Sequence, residues 1–208
     1  MLPRFYPILD TEVAARHGVD LLPAAEQILD GGARILQLRH KGFFSRDVFA
    51  MAQKIAALCR AVNARFVVND RADVAALLDA ALHLGQDDLT PSAARKVAGP
   101  GAIIGFSTHN ERQLRDAAQE PADYLALGPI FGTASKHQPD PIIGLVELRR
   151  LRPLTSKPLV AIGGITRANA RDVLAAGADS VAVIGDLFPE DADLRARARE
   201  WLSATRDI

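Results

Sequence analysis

The stretch Leu29-Asp30-Gly31-Gly32-Ala33-Arg34-Ile35-Leu36-Gln37-Leu38-Arg39-His40-Lys41 decides the fold. It reads as a helix end, a small turn, and then a strand. Strand alternation puts Ile35, Gln37, Arg39 and Lys41 on one face and Leu36, Leu38 and His40 on the other. One face is therefore apolar at its start and strongly polar at its end. The same helix–turn–strand pattern recurs in "LLDAALHLG" (77–85), "QEPADYLALG" (119–128) and "LAAGADSVAVIG" (174–185). A unit repeated this way points to alternating β and α elements throughout the chain.

Working outward, strand-like runs fall at 4–9, 34–40, 65–69, 81–85, 102–108, 124–130, 158–164 and 180–185. Helical patterns lie between them. One starts at Ser45, a residue suited to an N-cap, and places Val48, Met51, Ala52, Ile55, Cys59 and Val62 on one face. Another spans about Thr166 to Ala176 and stops at Gly177. Eight strands, repeated βα units and no long linker predict a single-domain α/β fold over residues 1–208, a (β/α)8 TIM barrel. A doubly wound open sheet is the alternative. No GxGxxG follows the first strand, which weakens any dinucleotide-binding reading.

Composition narrows the function classes. The chain has 208 residues, of which 49% are hydrophobic, and 25 basic residues balance 25 acidic ones. A net charge of zero argues against nucleic-acid binding through a bulk positive field, so any anion site must be local. Cys59 is the only cysteine and sits at a core spacing, which favours a buried structural thiol. The absence of a membrane-length apolar run and of a charged leader with an apolar segment predicts a cytoplasmic protein with no membrane partner.

Barrels collect functional groups at the C-terminal ends of their strands. The expected ends here carry Gln37, Arg39 and Lys41, then Asn69-Asp70, then Gln86-Asp87-Asp88, then Ser107-Thr108-His109. After the sixth strand come Thr133, Ser135 and Lys136; after the seventh, Gly163-Gly164; after the eighth, Ile184-Gly185-Asp186. The opposite ends hold ordinary turn residues. Arg39, Lys41 and Lys136 are three cations that suit phosphate oxygens. Any one lysine there reads better as a solvated surface charge. The set does not, because Arg39 lies two residues past Gln37 on a face that starts apolar.

Asp70 and Asp88 each follow a strand end. Two carboxylates with water and phosphate oxygens are a common way to hold Mg2+, while helix capping is the alternative use of such aspartates. "IGGIT" and "IGD" offer backbone N–H groups beside helices after strands seven and eight, a frequent phosphate position in barrels. His83 reads as a packed or rim residue. His17 and His137 read as solvated, and His40 and His109 lie near the expected rim. No zinc spacing, GxSxG or P-loop spacing is present. The layout predicts two anionic positions, one cationic and metal-bound and one made of backbone amides.

The motifs "QLRHKG" (37–42), "VVND" (67–70), "HLGQDDL" (83–89), "GFSTH" (105–109), "ALGPIFGTASK" (126–136), "AIGGIT" (161–166) and "AVIG" (182–185) resemble, in order and spacing, those of thiamine-phosphate synthases. The resemblance runs from about residue 4 to residue 188. It implies condensation of hydroxymethylpyrimidine diphosphate with thiazole phosphate, giving thiamine phosphate and diphosphate, with Mg2+. It implies pyrimidine diphosphate contacts from Gln37, Leu38, Arg39, His40, Lys41, Asn69, Ser107 and Lys136. It implies thiazole phosphate contacts from Thr133, Ala134, Ser135, Gly164, Ile184 and Gly185, and Mg2+ held by Asp70 and Asp88. Arg39, Lys41 and Lys136 would stabilise the departing diphosphate as catalytic groups.

The chain departs from the family pattern in a few places. His40 stands where glutamate is frequent, Gly132 where proline is frequent, and Gly185 where serine is frequent. The segment between Asp70 and Asp88 is one residue short. A thiazole tautomerase is the nearest rival, but the Asn-Asp and Gln-acid-Asp motifs and Pro129 disfavour it. A non-catalytic barrel that binds thiamine phosphate is the rival of a different class. Expected partners are small-molecule substrates, with no nucleic acid and with a homo-oligomer permitted.

Overall fold

The computed structural model describes residues 2–132, 140–188 and 193–206. Its strands are β1 (Phe5–Asp10), β2 (Ile35–Arg39), β3 (Arg65–Asn69), β4 (Ala81–Leu84), β5 (Ile104–Thr108), β6 (Tyr124–Leu127), β7 (Leu159–Ile162) and β8 (Ser180–Val183). All neighbours pair in parallel, and β8 returns to β1, closing the barrel. The eight expected strands are all present. Several stop short of their expected C-terminal ends; past β6, Pro129 has no N–H for the ladder, although the Ile130 and Phe131 N–H groups still donate to the Ile162 and Gly163 carbonyls.

The helices among the described residues are α1 (Thr11–Arg16), α2 (Leu21–Asp30), α3 (Arg46–Ala61), α4 (Ala72–Leu78), α5 (Pro91–Ala98), α6 (Glu111–Gln119), α7 (Gly144–Leu151), α8 (Ala170–Ala175) and α9 (Leu194–Ala204). Ser45 caps α3 by accepting from the Val48 N–H. Cys59 is fully buried on that helix, and burial pushes its thiol up to about 12. Helix α8 begins at Ala170, later than the sequence pattern indicates. The Asn169 side chain accepts from the Thr166 N–H and holds residues 166–169 as a turn. Gly177 ends the following stretch at φ +109°, a conformation that favours glycine.

Strand alternation divides the apolar residues into two separate clusters. Outward residues such as Phe5, Leu9, Leu36, Leu38 and Leu125 join the helical layer in the large outer core. Inward residues Tyr6, Ile8, Ile35, Val67, Tyr124 and Val160 belong to a smaller cluster inside the barrel. Trp201 on α9 stacks on Phe5 with ring centroids 5.5 Å apart and planes within 3°, sealing the helical layer over β1.

One glycine decides how the barrel interior is filled. Gly105 on β5 lies opposite Tyr124 on β6. A Cβ at position 105 would sit 2.0 Å from Tyr124 Cζ. The missing side chain is the space the tyrosine ring occupies.

Candidate active site

A cavity of about 600 Å3 opens at the C-terminal end of the barrel. Its wall is built from two kinds of material. Between β2 and β5 the wall is made of side chains: Gln37, Arg39, Lys41, Asn69, Asp70 and Asp88 among them. Between β7 and β8 it is largely backbone, from Gly163, Gly164, Ile184 and Gly185.

On the side-chain rim, charges are compensated within the site. The Arg39 guanidinium donates to the buried Asp10 carboxylate, which also caps α1 through the N–H groups of Glu12 and Val13. Lys41 Nζ donates to Asp70 Oδ2 at 2.5 Å. Asp70 holds a left-handed backbone, φ +65°, unusual for a residue with a Cβ. Its N–H donates to the His83 carbonyl at 2.8 Å, tying the end of β3 to β4. Burial pushes the Asp70 carboxyl up to about 6, and the neighbouring Asp88 carboxylate pushes the same way against Lys41. Asp88 Oδ2 accepts from the Gly85 N–H at 2.7 Å. Asn69 Nδ2 is buried with no hydrogen-bond partner among the described residues, leaving a donor for a ligand to satisfy.

Among the described residues no group of three or more His, Cys, Asp or Glu side chains converges as a ready metal cage. Asp70 and Asp88 nevertheless fit a hard divalent cation. Burial first, and the neighbouring Asp88 second, raise the Asp70 carboxyl, and a bound cation would relieve both costs, with water and phosphate oxygens as its remaining ligands.

On the backbone rim, Gly163 and Gly164 both have positive φ, +97° and +62°. A Cβ on Gly164 would meet the Gly132 carbonyl at 2.4 Å, so the two loops pack backbone to backbone. The amides that follow belong to the 166–169 turn rather than to a first helical turn, since α8 starts at Ala170. Gly185 opens a short 3₁₀ turn, Gly185–Leu187. The Asp186 carbonyl in that turn accepts from Arg197 Nη1 at 2.6 Å, so α9 anchors the loop. The Asp186 carboxylate lies 3.1 Å from Arg167 Nε.

The side chains of Leu38 and His40 leave the cavity. Leu38 is in the outer core. His40 Nδ1 lies 2.9 Å from Thr11 Oγ1, its Nε2 lies 3.2 Å from the Phe43 carbonyl, and its ring meets Phe44 edge-on. Any ligand contact at these two positions runs through backbone. His109 lines the mouth with Nδ1 2.6 Å from the Gly128 carbonyl, and His17 stacks on Phe188 while staying exposed. Thr133, Ala134, Ser135, Lys136 and His137 lie outside the described residues.

Beneath the side-chain rim lies a feature that alternation alone did not single out. Gln37 Nε2 donates to Tyr6 Oη at 2.8 Å, and Tyr6 Oη lies 2.9 Å from Tyr124 Oη. Tyr124 Oη lies 3.1 Å from His83 Nδ1, and His83 Nε2 lies 2.9 Å from Ser107 Oγ. Burial pushes the His83 imidazole down to about 4 and Tyr6 up to about 12, so both are neutral at pH 7. Tyrosines in apolar strands read as ordinary core; only the register that stacks Tyr124 beside His83, with ring centroids 5.6 Å apart, shows them as a polar chain.

A family model described as thiamine monophosphate synthase matches residues 5–187. The chain belongs to the thiamine monophosphate synthase family. A thiamine-phosphate synthase from Koribacter versatilis (strain Ellin345) is 48% identical over 205 residues, covering 97% of this chain and 95% of the relative. Another from Methanospirillum hungatei JF-1 is 42% identical over 195 residues, covering 93% and 94%. The structure of a thiamine phosphate pyrophosphorylase from Pyrococcus furiosus superposes with a TM-score of 0.85 at 33% identity, covering 97% of this chain and 95% of that one. Thiamine monophosphate synthase family membership accounts for the order of motifs along the chain. Among the described residues no helix is long and apolar enough to cross a membrane.

Proposed function

We propose that this chain condenses hydroxymethylpyrimidine diphosphate with thiazole phosphate to give thiamine phosphate and diphosphate. The observation that carries this reading is the pairing of a cationic, carboxylate-bearing rim with a glycine-backbone rim across one cavity, in a chain of this family. Arg39, Lys41 and Lys136 bind the diphosphate, with Gln37, Asn69 and Ser107 holding the pyrimidine part. Leu38 and His40 contribute backbone only. Thr133 to Ser135, Gly164, Ile184 and Gly185 hold the thiazole phosphate.

The reaction needs no protein nucleophile and no acid–base pair. The bond from the pyrimidine methylene to the diphosphate oxygen breaks, and its electrons leave with the diphosphate. The thiazole nitrogen then donates its lone pair to the resulting pyrimidine-stabilised carbocation. Arg39 is held by Asp10, so its charge is oriented before substrate arrives. Lys41 is held by Asp70 and is available to exchange that partner for phosphate oxygen. Asp70 and Asp88 are the proposed Mg2+ ligands; the ion, when bound, supplies Lewis-acid stabilisation of negative charge on the diphosphate.

The test is direct. The purified full chain is incubated with both substrates, with and without Mg2+, and thiamine phosphate and diphosphate are quantified. Equimolar products that depend on the divalent ion are expected. Absence of product from folded protein overturns the reading.

A further inference from the structure

We infer that the buried chain Tyr6–Tyr124–His83 is a one-way hydrogen-bond relay that fixes the donor and acceptor pattern presented to the pyrimidine ring. This rests on the proposed condensation and concerns residues at the cavity floor, of which His83 lines the cavity and the two tyrosines lie beneath it.

The direction follows from counting hydrogens. Each tyrosine hydroxyl has one to give. Tyr6 Oη accepts from Gln37 Nε2, so its own hydrogen goes to Tyr124 Oη. Tyr124 then gives its hydrogen to His83 Nδ1, which must be unprotonated. The imidazole therefore carries its proton on Nε2 and donates it to Ser107 Oγ. The reverse sense would require the Gln37 amide to turn its oxygen toward Tyr6 and His83 to carry its proton on Nδ1. With the Gln37 nitrogen on Tyr6, the pattern at the two cavity ends is set. Gln37 keeps its carbonyl oxygen for the ligand as an acceptor. Ser107, already accepting from His83, keeps its O–H as a donor.

An acceptor at one end and a donor at the other match an aminopyrimidine, which carries an exocyclic N–H donor and ring-nitrogen acceptors. A ring with a carbonyl in place of the amine presents the opposite polarity and leaves groups at the cavity floor unpaired, which is a strong basis for rejection. Burial supports a fixed direction: His83 and both tyrosines are shielded from water that would otherwise supply alternative partners. Gly105 is part of the same device, because its missing Cβ admits the Tyr124 ring to reach His83.

Two measurements test the relay. In 15N-imidazole NMR of the full chain, with the His83 signals assigned by their loss in His83→Asn, His83 should be the Nε2–H tautomer. The Nδ1–H tautomer overturns the direction. This measurement does not depend on the activity, so it still decides the relay if the condensation assay fails.

In steady-state kinetics, Tyr124→Phe keeps the ring and removes the link. It should raise KM for the pyrimidine diphosphate on the order of tenfold or more while KM for the thiazole phosphate stays within about twofold. In a Ser107→Ala background the same substitution should add almost nothing, since the relay then has no terminus. A merely structural tyrosine would move both KM values together, or act equally in both backgrounds, and either result overturns the proposal. Tyr6→Phe is the second variant if Tyr124→Phe does not fold, with the same expected pattern.

Discussion

The two rims of the cavity are built to opposite specifications. The β2–β5 rim is side-chain chemistry: Arg39 on Asp10, Lys41 on Asp70, and Asp88 capping the Gly85 amide, all above a buried polar floor. The β7–β8 rim is backbone: two glycines at positive φ, and a 3₁₀ turn tied down by Arg197. The first rim holds pre-paired charges, which in the proposed reaction exchange partners when the diphosphate arrives. The second has little to exchange and offers amides in fixed positions. The first should therefore be sensitive to charge-removing substitutions of the same shape, and the second to added volume.

The largest expected effect is on the first rim. Asp70→Asn and Asp88→Asn should each lower turnover on the order of a hundredfold or more, with melting temperature little changed. Asp70 loses a raised carboxyl whose repulsion from Asp88 the cation would relieve, so the variant's Mg2+ dependence should weaken in parallel. Full activity in both variants would break the comparison by removing the metal from the side-chain rim.

The floor beneath that rim predicts a pH dependence of stability. His83 is held neutral, with its folded pKa at about 4 against about 6.5 in the unfolded chain. Below about pH 6.5 the unfolded state takes up a proton that the folded state refuses. The stability is complete above that pH and is lost as pH falls toward about 4, by about 3 kcal/mol in all. Asp70, raised to about 6, has the opposite sign: its folded form takes up a proton first on acidification. Denaturant titrations in an Asp70→Asn background isolate the histidine. The slope between pH 6.5 and 4 should be present there and should vanish on adding His83→Asn.

Gly105→Ala should destabilise the protein by roughly 2 kcal/mol, because the Tyr124 ring must move aside for the new methyl. Its kinetic signature belongs to the first rim: KM for the pyrimidine diphosphate should rise, and KM for the thiazole phosphate should not. The smallest effect is expected on the backbone rim. Gly164→Ala places a Cβ against the Gly132 carbonyl at a φ of +62°. It should raise KM for the thiazole phosphate by about tenfold while the pyrimidine diphosphate KM holds. If the two glycine variants affect the same substrate, the division into two rims is wrong.

Much of this was legible in the sequence. The eight strands, the inward face of Ile35, Gln37 and Arg39, and the gathering of polar residues at one end all follow from period-two alternation and the βα repeat. Ser45 announced its helix because an N-cap is a local interaction. Other features were hidden. Asn169 delayed α8 by closing a turn with its side chain, which helical periodicity does not register. Asp10 caps α1, and its hold on Arg39 appears only when β1 pairs with β2. Tyr6 and Tyr124 are core residues whose hydroxyls meet because opposite walls of the barrel face each other.

The sequence by itself determined which residues point into the barrel and which end of it carries chemistry, since both are consequences of backbone geometry acting over a few neighbouring residues. Only the tertiary structure decided which inward residues meet. That Gly105 lies under Tyr124, that His83 bridges to Ser107, and that Asp70 crowds Asp88 depend on strand register and closure. Those are set by packing the whole ring of eight strands at once, and no single segment encodes them.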